Sequence, residues 1–120
     1  MRFTRQTFAK GKTGRKVGMN KTEAEYNAEL DNQRRVGLIE WFMFEGIKLR
    51  LADNTFLTPD FFVMLSDGTL EAHEVKGFMQ EDANVKLKVA AFLYPLVFRL
   101  VKKIKGQWVI TVVGNKEGVT

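Results

Sequence analysis

The chain has 120 residues, 45% of them hydrophobic, which suits one packed core and is short for two ordinary domains. It carries no cysteine and a single histidine, His73, so disulfides, thiolate metal sites and a histidine-rich zinc site are excluded and a reducing compartment is expected. The net charge of +5 is uneven: Arg2, Arg5, Lys10, Lys12, Arg15, Lys16 and Lys21 lie in residues 1–21 with no acid among them. The other twelve basic residues face all fourteen acids. A basic arm on a mildly acidic body points to a polyanion, with nucleic acid first in line, or to a solvated tail that aids solubility.

Residues 1–20 hold Gly11, Gly14 and Gly18 among scattered cations, with no sustained period, and read as a flexible basic arm. Residues 21–120 read as a single domain. Thr22-Glu23-Ala24-Glu25 matches a capping box and predicts a helix to about Val36, with Gly37 as its left-handed cap. The basic N-terminus is followed by no apolar stretch, which argues against a secretory signal. Ile39 to Leu51 reads as a strand with Gly46 as a bulge, then a turn at Ala52–Thr55 and a second strand from Phe56 to Leu65. Ser66-Asp67-Gly68 is the next turn and Thr69 to Lys76 the third strand. Glu81 and Asp82 suit the first turn of a second helix, with Val85, Val89 and Phe92 as its apolar stripe and Pro95 as its end. Leu96 to Ile104, a turn at Lys105-Gly106, and Trp108 to Val113 complete an α-β-β-β-α-β-β order, a mixed sheet of α/β (α+β) class. The longest apolar run, Val89 to Phe98, is ten residues and contains Pro95, against roughly 20 for a membrane span. A cytoplasmic location is expected, that of the host cell if the chain is phage-encoded.

The chemistry concentrates between Thr58 and Lys76. A three-residue hairpin loop with Gly68 in the left-handed position pairs Leu65 with Thr69. That register sets Asp60 directly across from Glu74, on one face of the sheet with Cβ atoms about 5 Å apart. A period of two adds Lys76 to the same face and turns His73 to the other. Two carboxylates so close repel, and they desolvate badly beside Phe61, Phe62, Val63 and Val75. Mg²⁺, which takes one or two carboxylates plus waters and phosphate oxygens, resolves the conflict, and Lys76 can then position the attacking water and offset phosphate charge. An acid-x-Lys triplet arises about once by chance at this length. Here it ends an apolar strand opposite a Pro-Asp, and the competing reading is a surface ion pair on an edge hairpin. Glu23 shares the inward face of the first helix with Tyr26 and Leu30, so it either complements the helix dipole or reaches toward the metal.

Asn20-Lys21-Thr22-Glu23, Thr58-Pro59-Asp60-Phe61 and His73-Glu74-Val75-Lys76-Gly77 together resemble the signature of the PD-(D/E)XK nuclease superfamily, in the spacing of its small phage-encoded members. The resemblance spans residues 20 to about 101. It implies a restriction-endonuclease-like core and a metal-dependent endonuclease that hydrolyses DNA phosphodiester bonds, leaving a 5′-phosphate. It also implies Mg²⁺ or Mn²⁺ held by Asp60, Glu74 and the Val75 carbonyl, with Lys76 orienting the water and Glu23 supporting the metal shell. Relatives include Holliday-junction resolvases, transposon end-cutting subunits and very-short-patch repair nucleases, so branched DNA and phage recombination enter by analogy, as does a homodimer. Lys86 and Lys88 on the second helix, and Lys102, Lys103 and Lys105 on the last hairpin, are further phosphate contacts or solvated faces. Trp41, Phe42 and Phe44 are core or base-stacking aromatics. The alternative function is a phage accessory protein that binds nucleic acid, or a host protein, without cutting.

Overall fold

The structure, a computed structural model, describes residues 18–77 and 84–114. The six cations from Arg2 to Lys16, and the helix-start acids Glu81 and Asp82, lie outside the described residues. The elements run α1 (Lys21–Arg35), β1 (Ile39–Phe44), β2 (Leu49–Ala52), β3 (Thr55–Leu57), β4 (Phe61–Leu65), β5 (Leu70–Val75), α2 (Asn84–Leu93), β6 (Val97–Ile104) and β7 (Gln107–Val113). The fold is mixed α+β. A five-stranded sheet of order β1-β4-β5-β6-β7 is antiparallel except for the β5–β6 pair, and β2 and β3 form a separate two-stranded ribbon. The parallel pair is joined through α2, because neighbouring parallel strands need a crossover. No helix among the described residues is long and apolar enough to cross a membrane.

The cap of helix α1 lies two residues before the expected one. Asn20, not Thr22, is the N-cap: its side chain accepts from the Glu23 N–H at 2.8 Å, and the Glu23 carboxylate accepts from the Asn20 N–H at 3.0 Å. Asn caps at least as well as Thr, and Asn20-x-x-Glu23 satisfies the same two free amides. Met19 packs against the core, so the folded part takes in residues assigned to the arm. At the other end the Leu38 N–H reaches the Gln33 carbonyl and the Gly37 N–H that of Arg34, with Gly37 at φ +86°. This is a Schellman closure, and it uses the glycine the sequence supplied.

Two strands expected to be continuous are each broken. Ile39 to Leu51 divides at Glu45 (φ +51°) and Gly46, where an added Cβ would stand 3.1 Å from the Met43 Cβ. Phe56 to Leu65 divides around Pro59, which has no N–H to give a ladder. The excised middle folds back on itself as the β2–β3 hairpin, turning at Asn54 (φ +54°).

Two cores sandwich the main sheet. On one side Tyr26 and Leu30 of α1 pack on Ile39, Phe61, Val63, Val75 and Val101. On the other, Leu87, Ala90 and Ala91 of α2 pack with Ala72, Phe98 and the hairpin's Leu49 and Leu57. The stripe expected on α2 is therefore misplaced: Val85 is 69% and Phe92 88% exposed, and Val89 is also exposed. Small residues won the inward face because the chain comes so close there; a Cβ on Gly114 would lie 3.0 Å from that of Ala91.

Candidate functional site

The β4–β5 hairpin has the register its loop dictates. Phe61 pairs with His73 and Met64 with Leu70, the Leu65 N–H meets the Thr69 carbonyl at 2.8 Å, and Gly68 sits at φ +92°. One step further along, Asp60 and Glu74 meet at the strand end. The Asp60 N–H donates to Glu74 Oε1 at 3.2 Å, and the Val75 N–H donates to Asp60 Oδ2 at 2.8 Å. Each carboxylate thus has one oxygen anchored to the main chain of the opposite strand.

Electrostatically the pair is under stress. Burial, then the charge of Glu74, with Glu23 adding both charge and a side-chain hydrogen bond, push the Asp60 carboxyl up to about 8. Burial, followed by the charges of Glu23 and Glu45, raises Glu74 to about 7, against the opposing hydrogen bond from the Asp60 N–H. Carboxyls crowded together and partly desolvated are what a divalent cation relieves, and such perturbed pairs cluster at functional sites.

The residues nominated from sequence are distributed as follows. Glu23, three residues ahead of the buried Tyr26, acts electrostatically on both Asp60 and Glu74 while its Oε1 closes the capping box. Val75 buries its side chain in the α1 core. Lys76 donates its N–H to the Val101 carbonyl at 2.8 Å, which extends the β5–β6 pairing, and alternation assigns it to the Glu74 face. Its ammonium forms no ion pair with Asp60 or Glu74, and the charges that shift those two acids come from other acids. Lys21 and Lys88 are exposed, and the Lys86 ammonium donates to the Phe56 carbonyl at 3.1 Å. Phe42 and Phe44 pack against the α1 core, whereas Trp41 meets Phe62 edge-on.

Two features escaped the sequence reading. Glu45, at the end of β1, gives its N–H to the Asp60 carbonyl at 2.7 Å and adds its charge to the site. No pairing of β1 was derivable from a loop, so nothing marked it. On the α1 side of the sheet lies a buried chain of polar contacts. The Tyr26 hydroxyl is 2.8 Å from His73 Nδ1, and His73 Nε2 is 2.8 Å from Glu71 Oε1. Arg99 clamps both Glu71 oxygens at 2.9 and 3.0 Å. Burial pushes the Tyr26 hydroxyl up, with Glu71 adding to it. Burial also favours protonation of Glu71, but the hydrogen bonds from His73 and Arg99 outweigh it and hold the carboxyl below its usual value. The alternation Glu71-Ala72-His73 was a usable signal for part of this cluster.

Among the described residues no three His, Asp or Glu side chains form a ready cage for a metal ion. A cation at Asp60 and Glu74 would have to complete its shell with main-chain carbonyl oxygen and water, a donor set that suits Mg²⁺ or Mn²⁺ and not zinc. Compared with known protein families, curated proteins and solved structures, the chain matches none.

Proposed function

We propose that the chain is a metal-dependent endonuclease that hydrolyses DNA phosphodiester bonds at Asp60 and Glu74. The observation that carries this reading is the convergence of these two carboxyls, each anchored by one oxygen to the opposite strand and each raised well above its ordinary value. A structural pair would gain nothing from such repulsion. The topology supports the resemblance to the PD-(D/E)XK superfamily as well. With the β2–β3 hairpin set aside, the remaining elements read α-β-β-β-α-β-β, the order expected of a restriction-endonuclease-like core.

In this reading Asp60, Glu74 and the Val75 carbonyl hold Mg²⁺ or Mn²⁺. A bound divalent ion supplies Lewis acidity at the phosphoryl oxygen and a water more readily deprotonated at neutral pH. Main-chain anchoring of one oxygen on each acid fixes the direction of the other, so the site is oriented before substrate arrives. Glu23, held by the helix cap, presses its charge on both acids and raises their demand for a cation. Lys76, on the Glu74 face, orients the attacking water and offsets charge on the phosphate. Branched DNA is the first substrate to try, and a homodimer would allow paired strand cuts.

The test is a nicking assay on plasmid and four-way-junction DNA with Mg²⁺, Mn²⁺ or EDTA. Cutting should require the metal and fall by about a hundredfold or more in Asp60→Asn and in Lys76→Ala. Cutting that persists in EDTA, or survives Asp60→Asn, sinks the assignment.

A further inference from the structure

The β2–β3 hairpin is two-faced. Leu49, Leu51 and Leu57 turn inward onto the α2 core, and alternation sends Lys48, Arg50, Phe56 and Thr58 outward into solvent. Phe56 remains 40% exposed, and three cations gather on it. Arg50 is its cross-strand partner, the Lys48 ammonium stands 4.6 Å from its ring centroid, and the Lys86 ammonium donates to its carbonyl. None of these cations forms an ion pair among the described residues, whereas Arg34, Arg35, Arg99 and Lys103 are each paired with an acid. One acid, Asp53, lies at the hairpin turn.

The hairpin's two ends lead into the site, Glu45 before it and Asp60 after it. Phe56 is four residues from Asp60, so their Cα atoms are at most about 14 Å apart, or roughly four steps of a DNA strand. A cationic ribbon with a part-exposed aromatic ring within that distance has the chemistry of a nucleic-acid contact: ammonium and guanidinium groups for phosphates, a ring for a base.

We propose that the outer face of the hairpin is the substrate-binding surface for nucleic acid, with Lys48, Arg50 and Lys86 holding backbone phosphates and Phe56 packing on a base within about four nucleotides of the bond to be cut. The proposal rests on the nuclease reading for its placement, but binding can be measured separately from cutting. The experiment is fluorescence anisotropy of labelled DNA with the full chain in EDTA, run in parallel with the Mg²⁺ nicking assay. Lys48→Gln/Arg50→Gln/Lys86→Gln should weaken binding at least about tenfold and lower the slope of log affinity against log salt by about three, one per cation. Phe56→Ala should weaken binding about tenfold with little change of salt slope. Thermal melts check folding. If the triple variant is unstable, Lys48→Gln and Arg50→Gln alone should each lower the slope by about one. A folded triple variant with wild-type affinity and slope overturns the hairpin surface, even if the wild type cuts DNA. Hairpin-dependent binding by a wild type that never cuts would retain the surface and remove the nuclease.

Discussion

Asp60 and Glu74 each spend one carboxylate oxygen on an opposite-strand N–H, and the rest of their surroundings oppose ionisation. Free of metal, both carboxyls bind protons more tightly in the folded chain than at their unfolded values near 4. Folding therefore takes up protons between about pH 4 and 8, and stability falls as pH rises through that window. In EDTA the melting temperature should be several degrees higher at pH 5.5 than at pH 8.5. Millimolar Mn²⁺ should close most of that gap by binding the folded, ionised site. Asp60→Asn keeps an oxygen for the Val75 N–H and removes a charge, so it should raise the metal-free melting temperature at pH 8.5 while abolishing cutting. Equal stability at both pH values, with no response to Mn²⁺, would mean that the pair is not under charge stress. His73 illustrates the opposite design on the other sheet face. Its ring is buried between the Tyr26 hydroxyl and Glu71, a fully partnered chain that ties α1 to β5 and so steadies Glu23, one turn from Tyr26.

Elements were legible in proportion to how locally they are determined. The loop Ser66-Asp67-Gly68 specifies a register, and the β4–β5 ladder follows it, so the meeting of Asp60 and Glu74 could be read residue by residue. The β5–β6 register passes through a helix instead of a turn, and nothing local sets Arg99 beside His73. The β1 partnership was hidden because a hairpin interrupts it, and Glu45 was lost with it. Helix α2 failed for another reason: its sequence is apolar on nearly every side, so periodicity alone does not single out the buried face. Packing chose Leu87, Ala90 and Ala91, where small side chains admit the β7 end. Leu87→Ala should accordingly cost about 2–5 kcal/mol in chemical denaturation. Phe92→Ser, at a position 88% exposed, should change stability by no more than about 0.5 kcal/mol. Reversal of that order would return the buried face to the Val85–Phe92 stripe.

Over the whole molecule the two sides of the sheet carry charge differently. On the α1 side four cations are neutralised, Arg34 and Arg35 by Asp31, Arg99 by Glu71 and Lys103 by Glu25, while Lys21 at the helix start stands exposed. Around the hairpin and α2, Lys48, Arg50, Lys86 and Lys88 have no acid partner among the described residues, and this is the side Glu74 faces. Residues 1–17 add six cations and no acid. Such cations contribute to affinity through counterion release, which depends on their number and is indifferent to the chemistry at the cut. A chain beginning at Gly18 keeps the Asn20–Glu23 capping box and the Met19 contact, so its loss should be confined to binding. Its salt slope should drop by as many as about five units. KM for DNA should rise at least about tenfold at physiological salt, with kcat within about twofold of the full chain, because Asp60, Glu74 and Lys76 are untouched. A truncated chain with unchanged KM and salt slope would show that the basic segment does not touch DNA. A collapse of kcat with KM preserved would instead place those cations at the transition state, close to the scissile phosphate.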